Sequence, residues 1–173
     1  MRYLFVVIAI GVVSAGCSQL PTSPTAPGGT AMAEEATQAR GGTDLPFRGS
    51  FEGTEVDQVA PPNLLVNGTA DGTATHLGRY TATFTVVVDL ATSSSVGSIV
   101  LVAANGDGLS GTFTGQGTAS APNVAHIIEN VTISGGTGGF AGATGTFTID
   151  RTLDQLTGRS LGSLTEGHIS FAR

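Results

Sequence analysis

Between Tyr80 and Val88 the chain alternates with a period of two. Tyr80, Ala82, Phe84, Val86 and Val88 fall on one side, and Thr81, Thr83, Thr85 and Val87 on the other. A helix would scatter these residues around its axis, whereas a strand sorts them into one apolar and one wettable face. The same alternation recurs over Ser110–Gln116, Thr144–Asp150 and His168–Phe171. β-Branched residues dominate these segments and turn formers separate them. The pattern predicts strands at 47–57, 64–70, 75–89, 96–104, 108–119, 124–134, 140–151 and 159–172. The connections between them are short, which favours antiparallel neighbours. Eight such strands without a helix predict an all-β, eight-stranded antiparallel β-barrel, because closure removes exposed edges. A two-sheet sandwich is the alternative. A barrel of this size is filled by side chains or holds one small ligand.

The chain carries 26 glycines. Asn67-Gly68 and Asn105-Gly106 suit turns that need positive φ. Gly111, Gly115, Gly117 and Gly145 fall inside predicted strands, where glycine marks bends, bulges or close packing beneath an aromatic ring.

The N-terminus obeys a different rule. Met1-Arg2-Tyr3 precedes the apolar run LFVVIAIGVVSAG and then Cys17, the only cysteine. One positive charge, an apolar stretch and small residues are the layout of a secretory signal. As a helix, Tyr3 to Gly16 would reach about 21 Å, short of the roughly 30 Å hydrocarbon core of a bilayer. Val13-Ser14-Ala15-Gly16-Cys17 resembles a bacterial lipobox. That resemblance implies a signal peptide over 1–16 and lipidation at Cys17. It further implies a membrane-anchored lipoprotein of the bacterial cell envelope, with Ser18 favouring the outer membrane. Residues 17–46 are rich in Pro, Thr, Ser, Ala and Gly and poor in large apolar side chains. They read as a lipidated N-terminus and flexible linker, because such a segment cannot bury enough surface to offset its ordering entropy. The folded domain is expected over 47–173.

Composition and motifs exclude several chemistries. All seven basic residues are Arg, so lysine-dependent phosphate loops and Schiff bases are ruled out. One cysteine precludes a disulfide framework or a multi-Cys zinc site. A net charge of −6 argues against nucleic-acid binding. Gly158-Arg-Ser-Leu-Gly162 matches a nucleophile-elbow pattern, but the stretch continues as a strand where the elbow needs a helix. His76, His126 and His168 lie on separate strands without close pairing, and no metal or cofactor is expected. The Asn105–Ser110 segment lacks the distal acid of a calcium loop, since Gln116 occupies that position.

The run Ser134-Gly-Gly-Thr-Gly-Gly-Phe-Ala-Gly-Ala-Thr-Gly145 resembles the glycine-rich signature of dirigent proteins and allene oxide cyclases. Both families are eight-stranded antiparallel barrels. The resemblance implies that Phe140 packs into the barrel and that Gly135, Gly136, Gly138, Gly142 and Gly145 are turn and strand glycines. Neither family's functional residues map onto this chain position by position, although Glu52 and Glu55 lie on the first predicted strand and Arg79 on the third.

The polar residues within strands remain as candidate cavity groups: Glu52, Arg79, His126 and Glu129, with Asn130 beside them. Glu129 shares the alternation of Ile127, Val131 and Ile133. A carboxylate on that face would need a partner such as Arg79 or would have a raised pKa. The expectation is an envelope barrel, attached to the membrane by lipid, that binds a small apolar or aromatic molecule or a protein partner. A cyclase- or isomerase-type cavity enzyme is the alternative, and a structural surface module a third. The sequence leaves the oligomeric state open.

Overall fold

The computed structural model describes residues 44–171. The expectations for Cys17, the signal segment and the linker up to residue 43 lie outside this range. Eight strands follow one another: β1 (Leu45–Ala60), β2 (Asn63–Ala74), β3 (Gly78–Asp89), β4 (Ser94–Ala103), β5 (Gly108–Ala121), β6 (Val124–Gly136), β7 (Thr144–Asp154) and β8 (Arg159–Ser170). Each pairs antiparallel with the next, and β8 pairs back onto β1, closing an eight-stranded barrel. Every strand therefore has two neighbours, and no backbone edge is left unpaired.

Alternation decides which side chains fill the barrel. On β3, Tyr80, Ala82 and Val86 are buried, while Arg79, Thr81, Thr83 and Thr85 are exposed. On β6, Ala125, Glu129, Val131 and Ile133 are buried. On β7 the inward series is Phe147, Ile149, Arg151 and Leu153.

Four glycines shape the middle of the barrel. Gly68 pairs with Phe84 and Gly72 with Tyr80. Gly97 pairs with Phe113 and Phe51 with Gly162. In each pair the ring lies against the glycine, in the space a Cβ would take. Asn67-Gly68 is thus mid-strand rather than a turn. Only Asn105-Gly106 forms one, with Gly106 at φ +89°. The in-strand glycines singled out from sequence behave differently. Gly111 abuts Val131, Gly115 abuts Ser95 and Glu129, and Gly145 backs onto the His168 carbonyl.

The two ends of the barrel differ. At one end Phe47, Leu77, Leu109, Phe140, Phe147 and Ile169 pack as a plug, with Phe47 and Phe147 ring centroids 5.1 Å apart. The glycine-rich motif belongs to this plug. Gly135 and Gly136 end β6, and Gly138–Phe140 form a short 3-10 turn that buries Phe140. Gly142 turns the chain at φ +71°, and Gly145 lies in β7. β7 accordingly starts at Thr144, four residues later than the alternation predicts. The motif is pinned by the β4–β5 turn. Gly139 N donates to Asp107 Oδ2 at 3.1 Å, and Gly108 N donates to Thr137 Oγ1 at 2.9 Å. The turns β1–β2, β3–β4, β5–β6 and β7–β8 surround the other end, which is open.

Candidate ligand-binding site

Three inward positions on separate strands carry charge: Glu55 on β1, Glu129 on β6 and Arg151 on β7. Arg151 Nε donates to Glu129 Oε2 at 3.2 Å and Nη2 donates to Glu129 Oε1 at 3.3 Å. Arg151 Nη1 reaches β1 and donates to Glu55 Oε2 at 2.7 Å. The planar guanidinium suits this forked, two-sided arrangement, which a point-charge ammonium would not reproduce. The Phe84 ring stands 5.9 Å from the guanidinium carbon, within cation–π range.

The neighbouring strands make room for these long side chains. A Cβ at Gly115 would lie 2.7 Å from Glu129 Cγ. Gly162 stands opposite Arg151 in the β7–β8 register, and a Cβ there would lie 2.8 Å from Arg151 Cβ. The small residues on β5 and β8 thus set where the triad fits.

All three side chains are nearly sealed from solvent, at 3% exposure for Glu55, 4% for Glu129 and 7% for Arg151. Burial pushes the Glu55 carboxyl above its usual 4.5, and the attraction of Arg151 only partly opposes it. Burial pulls Arg151 down, but the two carboxylates outweigh it, so the guanidinium is held above its ordinary value. Asp57, two residues beyond Glu55 on the same face of β1, is also raised by desolvation, partly offset by Arg151.

The triad separates two spaces. Behind it is a cavity of about 30 Å³, roofed by the rings of Phe51, Tyr80, Phe84 and Phe113 and reached by Ser160. The Ser160 hydroxyl is buried without a hydrogen-bond partner. Burial raises the Tyr80 phenol to about 12, so it remains a neutral hydroxyl. In front of the triad a pocket of about 260 Å³ opens at the mouth. Leu64, Val66, Val86, Val88, Ile127 and Leu153 wall it, and Glu55, Glu129 and Arg151 form its floor. Apolar walls with a few convergent polar groups are the usual makeup of a small-molecule site.

The residues singled out from sequence divide between the two faces. Glu129 points inward, and its partner is Arg151 rather than Arg79. Glu52 occupies an outward position of β1, with its side chain 71% exposed and 3.8 Å from Arg159. Arg79 is exposed at the start of β3, on the Thr81–Thr83 face. His126 faces outward on β6, where Nε2 lies 2.8 Å from Asp150 Oδ1. These three are not cavity groups, because each sits one residue out of phase with the apolar series of its strand. Asn130, also outward, accepts from Thr148 Oγ1 at 3.3 Å. Arg151 was not singled out, although it continues the series Phe147, Ile149. Among the described residues no group of three or more His, Cys, Asp or Glu is placed to hold a metal ion.

No family model matches the chain, and no curated protein matches it. Among solved structures, the pterocarpan synthase dirigent protein is similar, with a TM-score of 0.53 at 15% identity, over 83% of this chain and all of that one. At that identity the likeness establishes architecture alone: the chain is an all-β barrel of the dirigent type.

Proposed function

We propose that the protein is a lipid-anchored cell-envelope barrel that binds one small, largely apolar molecule at its open mouth. The observation that carries this reading is the Glu55–Arg151–Glu129 floor beneath an apolar-walled pocket. Burying three charges in a barrel that could be filled with Leu and Phe is a weak route to stability. Placed at the base of an accessible pocket, the same groups can orient a ligand. Titration of small neutral hydrophobes followed by amide and methyl NMR tests the reading. Saturable shifts at Val66, Val86, Ile127 and Leu153 are expected, and their loss on filling the pocket with Ala125→Trp. Absence of saturable shifts for every ligand charge type would overturn it.

The anchor rests on the lipobox resemblance of Val13–Cys17. The described chain enters the barrel at its plugged end, at Leu45. Cys17→Ser should abolish incorporation of labelled fatty acid and release the protein from membranes. Unchanged membrane retention would refute the anchor. A second reading, an isomerase- or cyclase-type enzyme, is favoured only by Glu55. Its raised pKa and its position on the pocket floor would suit a proton donor.

A further inference from the structure

The mouth pocket has an imbalance of charge that its walls do not correct. Glu55, Asp57 and Glu129 line it with one guanidinium, Arg151. Asp89 stands at the rim, but its Oδ1 accepts from the backbone N–H groups of Ala91 and Thr92 and so serves the β3–β4 turn. Both Glu129 oxygens are taken by Arg151. Glu55 gives Arg151 only Oε2. Among the described residues its Oε1 accepts no hydrogen bond, on a side chain 97% buried from solvent that lines the pocket. Asp57 forms no hydrogen bond or ion pair among the described residues. On one strand face, alternate residues stand about 6.6 Å apart, so Glu55 and Asp57 are neighbours along the β1 side of the chamber that both line. No cluster of ligating side chains suited to a metal ion is present among the described residues.

We infer that the mouth pocket selects an organic cation: a primary ammonium donating to Glu55 and Asp57, carried on a compact aliphatic or aromatic body that fills the space between Leu64, Val86, Ile127 and Leu153. This deepens the ligand-binding reading and rests on it. An ammonium supplies three donors and no acceptor, which matches two carboxylates with free lone pairs. It also compensates the buried negative charge that one guanidinium shared between Glu55 and Glu129 leaves unbalanced, whereas a carboxylate ligand would add to it. The volume of about 260 Å³ restricts the body to a single ring or a short branched chain. The apolar walls reject the strongly hydrated inorganic cations that charge alone would attract.

Three isosteres separate the possibilities: cyclohexylammonium, cyclohexanol and cyclohexanecarboxylate, titrated at pH 7 into the full-length protein and read by calorimetry and NMR. The ammonium is expected to bind at least tenfold more tightly than the alcohol, and the carboxylate not measurably. Asp57→Asn, a change at an exposed position that leaves the fold unstrained, should weaken the ammonium about tenfold while leaving the alcohol unchanged. Ala125→Trp should abolish binding of both. If the alcohol matches or exceeds the ammonium, the cation preference falls and the pocket stands. If no compound shifts the pocket-wall resonances, the ligand-binding reading falls with it. Ammonium binding that survives Ala125→Trp would place the cation elsewhere and overturn the assignment.

Discussion

Arg151 is the residue on which the interior depends. It is bonded to two carboxylates from two other strands, and it continues the inward series Phe147, Ile149 and Leu153. Arg151→Met would leave Glu55 and Glu129 buried without their cation. A loss of about 3–5 kcal/mol is expected, as for other broken buried pairs, measured by urea unfolding. A loss under about 1 kcal/mol would show that the carboxylates reach water or protons at no cost. Glu55 also confers a pH dependence of unusual sign. Its folded pKa is raised by burial, so the folded protein holds that proton more tightly than the unfolded chain. The stability this provides is present in full below the ordinary carboxylate range and is lost as pH rises through the raised value. Asp57 acts in the same direction. Glu55→Gln should therefore gain stability relative to the parent as pH rises above the ordinary carboxylate range. Parallel stability curves across that rise would overturn this. Much of this site was legible in strand parity. The alternation places Glu129 inward, and extending the Phe147–Ile149 series by two reaches Arg151; applied to β3 the same parity puts Arg79 outward, against the expectation that it is a cavity group. What the sequence did not carry is the pairing across the barrel, since Glu55 and Arg151 are 96 positions apart and meet only once the sheet closes.

At the scale of single strands, glycine acts through the aromatic ring it faces. Gly68 and Gly97 give Phe84 and Phe113 room to lie flat against the sheet, and those rings roof the inner cavity. Gly68→Ala would drive a methyl into the Phe84 ring. Overpacking of this kind costs about 1–3 kcal/mol, and it should also disturb Arg151, which stands beside that ring. Gly117 is the internal control. A Cβ there meets nothing closer than 3.8 Å, and Gly117→Ala is expected to be neutral or to stabilise by up to about 1 kcal/mol through the unfolded chain. Chemical denaturation of both variants checks the pair, and equal effects would refute the ring-packing account. Gly138 fails for another reason. Its φ is +58° and a Cβ would collide with the Asp107 carboxylate, the group that accepts from Gly139 N. The eight strand segments were readable from period and turn residues. Their ends were not, because alternation is blind to what stops a strand. The apolar Phe140 resembles a strand residue, yet it belongs to a 3-10 turn held by the neighbouring β4–β5 connection.

At the scale of the whole molecule, closure matters more than the order in which the strands are joined. β1 and β8 pair over the length from Leu45↔Ile169 to Thr54↔Arg159, so the described chain starts and ends side by side at the plugged end. Removing β8 would leave β1 and β7 as long unpaired edges and would open the plug beside Phe47 and Phe147. Exposed edges of that length pair with other chains, so a chain truncated after Gly158 is expected to lose cooperative unfolding and to aggregate. A circular permutant keeps every pair. Joining Ser170 to Leu45 through a short Gly/Ser linker and opening the chain at the exposed β5–β6 turn, between Pro122 and Asn123, leaves all eight ladders intact, and termini this close tolerate such rewiring. The permutant should melt cooperatively within several degrees of the parent and keep its far-ultraviolet spectrum. The opening lies at the mouth, beside Ala125 and Ile127, so the permutant should bind the pocket ligand more weakly while its fold persists. A permutant that aggregates as the truncated chain does would show that the barrel depends on its chain order, not on closure alone.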